Sequence, residues 1–262
     1  MTPAQTASAV LELDDVTMRF GGVVALRKAA LTVREGEIFA LIGPNGAGKT
    51  TVFNVVTGVF RPTEGAIRFG GDRIDGMKRF RVTKSGIART FQNIRLFHNM
   101  TALENVMVGV DAHHRTGAVG AALGLSWHRR EEREGREKAL ELLEFVGIGG
   151  WAEEAAKNLP YGDQRRLEIA RALATNPRLV LLDEPAAGMN PAEKQSLQAL
   201  IRRIRDDGRT VLLIEHDMSL VMDISDRIAV LDFGEKIAEG LPREVQSNAK
   251  VIEAYLGAPH AS

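Results

Sequence analysis

The chain has 262 residues, with 34 basic and 34 acidic side chains, 44% hydrophobic residues and no cysteine. This length favours one large domain, or one domain with a subdomain, because single cores stop growing near roughly 250–300 residues. The absence of cysteine excludes thiolate nucleophiles and cysteine-ligated metal sites, and the zero net charge leaves no general field that would attract nucleic acid, so we expect no nucleic-acid partner.

The first half of the chain begins with predicted strands. Residues 10–20 are apolar mostly at every second position, and residues 31–33 form a second strand candidate. Residues 38–42 are continuously apolar, which is typical of a strand buried on both faces of a sheet. A glycine-rich segment and a helix that ends near Thr57 follow, and residues 66–69 are again strand-like.

The second half alternates helices with strands. The pattern is helical over residues 101–154, and strand character returns at residues 178–183 and 210–215. This alternation predicts an α/β fold with a largely parallel sheet. Residues 117–127 are small and apolar but too few to span a membrane, so we interpret them as an insertion or a partner-facing surface.

We expect a single domain over residues 9–257. Its α/β core comprises residues 9–100 and 160–240. A helical subdomain is expected at residues 101–159, continuing into the helix that follows, and C-terminal helices are expected at residues 241–257.

A phosphate-binding motif occupies residues 43–50, which match G-x-x-x-x-G-K-[ST] between a predicted buried strand and a helix. Glycines let backbone N–H groups turn toward phosphate oxygens, and the helix N-terminus adds positive potential. Lys49 would reach the outer phosphates, and the Thr50 hydroxyl can ligate Mg²⁺. The alternative is a glycine-rich turn with a solvated lysine. The predicted phosphate-binding residues are Gly43, Pro44, Asn45, Gly46, Ala47, Gly48, Lys49, Thr50 and Thr51.

Two adjacent carboxylates end the predicted strand at residues 178–183. Asp183, at the strand end, is placed to hold Mg²⁺ through water, and Glu184 could polarise an attacking water. The alternative is an acidic strand terminus that enters the turn at Pro185. The guanine-reading N-K-x-D motif of a GTPase does not occur in the sequence.

The order of these and other motifs resembles that of the ATP-binding subunits of ABC transporters, over about residues 11–257. The motifs are Phe20, residues 43–51, Gln92, residues 159–171, residues 183–185 and His216. The resemblance implies a P-loop NTPase core with a parallel sheet, an N-terminal antiparallel β subdomain, an inserted helical subdomain, and ATP and Mg²⁺ as ligands. A P-loop kinase would leave the 159–163 segment and His216 unexplained.

The resemblance implies a role for each matching side chain. Phe20 would stack on adenine, Gln92 would contact Mg²⁺ and move with the nucleotide, and His216 would contact the γ-phosphate. Three plainer interpretations stay open: a core phenylalanine, a loop amide and a satisfied histidine at a strand end. The predicted magnesium ligands are Thr50, Gln92 and Asp183. The predicted general base is Glu184.

The signature segment departs from the family's usual Leu-Ser-Gly-Gly-Gln. It consists of Leu159, Pro160, Tyr161, Gly162 and Asp163. Pro160 offers a phosphate neither a hydroxyl nor an N–H group, and the Asp163 carboxylate would tend to repel one. We therefore expect this signature to serve the nucleotide of a partner less well than the usual sequence.

Further details resemble the ATP-binding subunits of branched-chain amino acid importers. They are residues 161–171, residues 185–191 with Asn190 in place of the usual aspartate, residues 214–218, and the ending 254–257. Related ABC ATPases for urea or amide import, or for lipid export, are alternatives. A non-transport ABC protein is a further alternative, but such chains usually carry two ATPase modules or a long coiled-coil insertion.

The resemblance also implies partners. MgATP would be bound between this chain's phosphate loop and the signature of a second ATPase subunit, identical or different, in a head-to-tail pair. Closure would act on separate transmembrane permease subunits, and an extracytoplasmic solute-binding protein would be an indirect partner. We expect a peripheral protein at the cytoplasmic face of the inner (plasma) membrane, because no apolar run is long enough to span a bilayer. Residues 93–110, with Phe97, Met100, Leu103 and Val106, are expected to join the permease-docking surface.

Overall fold

The computed structural model describes residues 8–111 and 126–256, with only the backbone described for residues 126–130 and 256. Residues 117–125 of the expected insertion lie outside the described residues. In chain order the strands are β1 Ala9–Phe20, β2 Val23–Arg34, β3 Ile38–Ile42, β4 Glu64–Phe69, β5 Asp72–Arg73, β6 Ile87–Arg89, β7 Leu179–Asp183, β8 Thr210–Ile214, β9 Arg227–Asp232 and β10 Glu235–Gly240. The helices are α1 Lys49–Val56, α2 Arg79–Lys84, α3 Ala102–Asp111, α4 Ser126–Phe145, α5 Tyr161–Ala174, α6 Pro191–Asp206, α7 Met218–Ile224, α8 Pro242–Gln246 and α9 Ala249–Leu256.

The N-terminal sheet is antiparallel, with strand order β2-β1-β4-β5. The turn at residues 21–22 joins β1 to β2, and Phe20 pairs with Val23 across it. The sequence pattern located only residues 31–33 of β2, because exposed side chains such as Arg27 and Lys28 interrupt its apolar residues. The predicted antiparallel β subdomain thus contains four strands.

A six-stranded sheet forms the core, in the order β10-β9-β3-β8-β7-β6. All neighbouring pairs in it are parallel except β9 and β10. The central strands β3, β7 and β8 are buried along their whole length, as their continuous apolar sequences predict. The sequence did not reveal β6, which has three residues, or the hairpin of β9 and β10, whose second strand is half exposed.

Parallel pairing places the carboxyl ends of β3, β8 and β7 at one edge of the sheet. Asp183, the last residue of β7, pairs with Ile214, the last residue of β8, and Ile214 pairs with Leu41 of β3. The segments that follow these strands begin with Gly43, Glu184 and Glu215, so three distant parts of the sequence meet there. Ligands of open parallel sheets bind at this edge.

The helices α3, α4 and α5 pack on one side of the core. Their apolar side chains, including Leu103 and Leu143, share one cluster with Val180 and Leu213 of the sheet. Because one apolar cluster includes both these helices and the sheet, packing does not mark a boundary between a helical subdomain and the core. The boundary at residues 101–159 stays a prediction. In the described part of the chain, no helix is long and apolar enough to cross a membrane.

Candidate nucleotide-binding site

The phosphate loop lies between β3 and α1. Its Gly43 and Gly48 have φ angles of 149° and 104°. A Cβ atom at Gly43 would lie 2.1 Å from the carbonyl oxygen of Leu231, and one at Gly48 would lie 2.7 Å from that of Ala25. Only glycine fits such approaches in this backbone conformation. The loop is therefore pressed against β2 and the end of β9.

Lys49 is the first residue of α1 and is nearly buried. Its Nζ donates hydrogen bonds to the carbonyl oxygens of Gly43, at 2.7 Å, and Pro44, at 2.9 Å. Burial lowers the pKa of Lys49, while the charges of Glu184 and Asp183 oppose this change. The ammonium is thus held inside the loop, where it can transfer its hydrogen bonds to phosphate oxygens.

The N-terminus of α1 opens into the same loop. Gly48 is its N-cap residue in a left-handed conformation, and no side chain caps the helix there. The N–H groups of a first turn that lacks a side-chain cap are available for an anion, and the helix dipole adds positive potential. Thr50 and Thr51 follow Lys49 in this turn. This arrangement suits the phosphates of a nucleotide.

Asp183 is buried at the end of β7 and forms an ion pair with Arg89, whose Nη2 lies 2.7 Å from Oδ2. Arg89 also donates to Asn54 of α1, at 2.8 Å, through Nη1. Arg89 therefore ties the acidic strand end to the helix that follows the phosphate loop. The sequence analysis did not identify this residue, because nothing in its local pattern distinguishes it from other basic residues.

Glu184 lies between two side chains that are distant in sequence. Gln92 Nε2 donates to Glu184 Oε2 at 2.8 Å, and the His216 Nε2 atom lies 2.7 Å from Glu184 Oε1. Glu184 has a φ angle of 48°, which is strained for a residue with a side chain. Its backbone N–H donates to the carbonyl oxygen of Ile214. The carboxylate is thus oriented from both sides at the edge of the sheet.

Thr50, Gln92 and Asp183 line one cavity of about 990 Å³ between α1, the segment after β6 and α5. They offer a hydroxyl, an amide and one carboxylate. Mg²⁺ is usually held by one or two carboxylates together with substrate phosphates and waters. In the described ranges, no cluster of three or more histidine or acidic side chains could hold a metal by itself. The donor set fits Mg²⁺ that arrives with a nucleotide.

The exposed ring of Phe20 stands at the end of β1. It contacts Phe60 edge to face, with 5.0 Å between ring centroids and 76° between planes. Such pairing orients an aromatic ring. Phe20 is 41% exposed, so it is available for stacking and is not the core residue of the plainer interpretation. Phe60 was not identified from the sequence.

The signature segment enters α5, with Pro160 as the N-cap residue. A Cβ atom at Gly188 would meet the ring of Tyr161 at 3.3 Å, and one at Gly162 would meet Glu193 at 2.9 Å. The signature thus packs against the segment after β7 and the start of α6. Leu159 is buried, whereas Tyr161 is exposed.

The charge of Asp163 is partly compensated. Arg166 Nε lies 3.9 Å from its Oδ1, and Asp163 lies in the first turn of α5, where the helix dipole favours a negative charge. Compensation by both groups weakens the repulsion of a phosphate that the sequence predicts for this carboxylate.

Glu215 is a buried residue that the sequence analysis did not identify. Its Oε1 accepts the N–H of Ala186 at 2.7 Å, and its Oε2 accepts the N–H groups of His216, at 2.9 Å, and Asp217, at 3.3 Å. The carboxylate therefore joins the turn that carries Glu184 to the turn that carries His216. The position of an acidic residue between a predicted buried strand and a candidate site histidine could have identified Glu215 from the sequence.

Two further contacts stabilise the edges of the site. Lys194 of α6 donates to Asp217 Oδ2 at 2.6 Å and holds the pKa of Asp217 well below its usual value. Asp217 also caps α7 by accepting from Ser219 and Leu220. At the other end, the backbone N–H of Gly43 faces the hydroxyl of Tyr255 and opposes the rise in its pKa that burial causes, so the C-terminal helix α9 lies beside the phosphate loop.

One predicted surface is partly wrong. Leu103 and Val106 are 1% and 0% exposed because this face of α3 packs on α5, so both belong to the core. Phe97 and Val108, in contrast, are 47% and 40% exposed and line the same cavity as Gln92. Met100 is 38% exposed.

Comparison with known proteins agrees with this geometry. Residues 26–187 match the family model described as ABC transporter, and residues 235–261 match the model for branched-chain amino acid ATP-binding cassette transporters. The chain therefore belongs to the ABC transporter family.

The chain is 49% identical to the high-affinity branched-chain amino acid transport ATP-binding protein BraF of Pseudomonas aeruginosa, over 95% of this chain and 98% of that protein. The ADP conformation of an ATP-binding cassette from an ABC transporter is similar with a TM-score of 0.84 and 32% identity, covering 96% of this chain and all of that one. A dimeric, post-hydrolysis ATP-binding cassette bound to ADP and Pi has a TM-score of 0.75 and 29% identity, over 89% and 99% of the two chains. These likenesses confirm the predicted P-loop NTPase fold.

Replacement of Glu215 by Ala should leave three main-chain N–H groups without their acceptor. We expect the free energy of unfolding, measured with urea, to fall by about 1–3 kcal/mol or more. The matched control is Glu153→Ala, which removes an exposed carboxylate and should change stability by less than about 0.5 kcal/mol. Equal midpoints for Glu215→Ala and the unsubstituted protein would show that this carboxylate does not hold the two turns together.

Proposed function

We propose that this chain is the ATP-hydrolysing subunit of an ABC importer for branched-chain amino acids. The observation that carries the proposal is the Glu184 carboxylate, held between Gln92 and His216 beside a phosphate loop. A carboxylate in this position can take a proton from water, and the loop can hold the phosphate that the water attacks. The substrate class rests on the likeness to BraF and to the C-terminal family model.

Nucleotide binding begins at the phosphates. Lys49 and the loop N–H groups bind the β- and γ-phosphates, and Thr50 and Thr51 lie in the adjoining helical turn. Phe20, oriented by Phe60, stacks on adenine. Phosphate binding dominates the affinity because it combines a buried ammonium with several preorganised N–H donors.

Thr50, Gln92 and Asp183 are the residues of this chain that would hold Mg²⁺. The bound ion would neutralise charge that develops on the phosphates during transfer. Asp183 keeps its orientation through Arg89, whose guanidinium occupies one side of the carboxylate. Arg89 therefore leaves the opposite side of Asp183 for the metal and its waters.

Hydrolysis requires one proton acceptor and one oriented water. The water oxygen attacks the γ-phosphorus while Glu184 accepts a proton from this water. The bond between the γ-phosphorus and the bridging oxygen of the β-phosphate breaks, and ADP leaves with that oxygen. His216, whose backbone N–H is held by Glu215, would transfer its Nε2–H hydrogen bond from Glu184 to the γ-phosphate when the nucleotide is bound. Gln92 fixes the other oxygen of Glu184.

The second nucleotide contact comes from a partner ATPase subunit in a head-to-tail pair. The dimeric cassette similar to this chain supports pairing. The signature of this chain would contribute the N-terminal turn of α5 to the partner's nucleotide. Pro160 cannot donate from either its side chain or its backbone, so that contact depends on the N–H groups that follow it. The two sites of a pair with a standard partner signature are then unequal.

Permease subunits dock at the cavity beside Gln92. The exposed Phe97 and Val108 provide apolar contact area next to the nucleotide-sensing side chain, which suits a partner that must respond to ATP. The chain then lies at the cytoplasmic face of the membrane, and the solute-binding protein contacts only the permease.

Replacement of Glu184 by Gln should preserve ATP binding but lower kcat by roughly 100-fold or more, because the amide keeps the shape and cannot accept the proton. Steady-state ATPase assays and nucleotide titration measure the two effects. Gel filtration with MgATP should show a longer-lived dimer. The control is Glu235→Gln, an exposed residue outside the site. If turnover survives in Glu184→Gln, another group is the base.

Substitution of Phe97 or Val108 by Glu should uncouple transport from nucleotide binding. We expect solute uptake into vesicles to fall at least about tenfold, because a charge in an apolar interface must be desolvated. The affinity for ATP should stay within about twofold, since neither residue touches the phosphate loop. Leu241→Glu changes an exposed apolar residue elsewhere and serves as the control. Normal uptake in both site variants would place the permease on another surface.

A further inference from the structure

The helix α5 carries a buried ion pair that the mechanism above does not use. Arg165 and Glu168 are each 2% exposed, and Arg165 Nη1 lies 3.1 Å from Glu168 Oε2. Both residues follow the signature on the same helix. Buried charged side chains are rare, so the other contacts of this pair are informative.

The remaining hydrogen bonds of the pair go to the backbone of residues 91–95. Arg165 donates to the carbonyl oxygens of Phe91, at 2.5 Å, and Gln92. Glu168 Oε1 accepts the N–H groups of Phe91, at 3.4 Å, and Arg95, at 3.3 Å. Donor and acceptor groups on both sides of Gln92 are therefore held by one helix.

These contacts form a continuous path from the proposed base to the signature. The Gln92 side chain bonds Glu184, and the Gln92 carbonyl oxygen bonds Arg165. Arg165 Nη2 also donates to the hydroxyl of Tyr161 at 3.4 Å. A displacement of Gln92 must carry α5 with it or break buried hydrogen bonds, and the latter is costly in a low-dielectric interior.

Stability alone does not explain this pair. Burial raises the pKa of Glu168, and the charge of Arg165 opposes the change. Arg165 Nε has no hydrogen-bond partner in the part of the chain that the structure describes. A buried ion pair seldom contributes more stability than apolar residues of similar volume. The specific property of the Arg165–Glu168 pair is that it hydrogen-bonds two carbonyl groups and two N–H groups around Gln92 at the same time.

We infer that Arg165 and Glu168 are positioning residues that fix the Gln92 carboxamide against Glu184 and hold it in one unit with Tyr161 of the signature. This inference rests on the proposed role of Glu184 in hydrolysis. The pair acts on turnover through Gln92 and makes no contact with nucleotide. Its removal therefore lowers kcat and leaves the affinity of the phosphate loop unchanged.

The test replaces the pair by apolar residues of similar size, Arg165→Met with Glu168→Leu, in the full chain within its transporter complex. We expect a folded protein by circular dichroism, an ATP dissociation constant within about twofold of the unsubstituted protein, and a kcat at least about tenfold lower. The control, Arg136→Met with Glu153→Leu, removes an exposed ion pair of the helical region and should preserve kcat.

A double-mutant cycle with Gln92→Ala distinguishes positioning from a general structural effect. If the pair acts through Gln92, adding its replacement to Gln92→Ala should lower kcat no further, whereas independent effects multiply. The milder variant Glu168→Gln keeps the side-chain volume and an acceptor oxygen. Its kcat is measured with and without Gln92→Ala in the same way. It should lower kcat several-fold, again only when Gln92 is present.

Two results would overturn the inference: an unchanged kcat in both pair variants, or a loss that multiplies with that of Gln92→Ala. If the apolar pair does not fold, Glu168→Gln decides between the same outcomes. Failure of the proposed function would look different, because the unsubstituted complex would then show no ATP turnover, or Glu184→Gln would retain it.

Discussion

Parallel pairing of the three buried strands β3, β8 and β7 positions every segment of the candidate site. It brings the phosphate loop, the Asp183–Glu184 pair and His216 to one edge, although about 170 positions separate the first from the last. Each strand is fully buried, so its register is strongly specified by packing. A shift of β7 against β8 would separate Glu184 from His216, and a shift of β3 would move the phosphate loop away from both.

Hydrogen bonds from charged side chains then hold the turns at this edge in place. Glu215 joins two turns, and Arg89 holds Asp183 to α1. The Arg165–Glu168 pair does the same for the segment of Gln92. Functional side chains on loops are precisely positioned only when a rigid scaffold holds those loops in place. Glu215 and the Arg165–Glu168 pair act mainly through main-chain atoms, whereas Arg89 bonds the side chains of Asp183 and Asn54.

The sequence predicted the parts of the fold that local pattern determines. Continuous apolar runs identified β3, β7 and β8, and the glycine spacing identified the phosphate loop. It did not reveal β6, which has three residues, and it assigned Leu103 to a surface because periodicity shows a helix face but not what covers it. Glu215 and Arg165 were missed for a related reason: their partners lie 29 and 74 positions away, and no local pattern encodes such contacts.

The proposed chemistry requires Lys49 and its loop to hold the nucleotide phosphates at this edge. Calorimetric titration of Lys49→Ala with a magnesium-bound, non-hydrolysable ATP analogue tests it most directly, with the exposed Lys78→Ala as the control. We expect a dissociation constant raised roughly 100-fold or more in Lys49→Ala, because the loop places no other basic side chain at the phosphates, and an unchanged value in the control. Near-normal affinity in Lys49→Ala would contradict it.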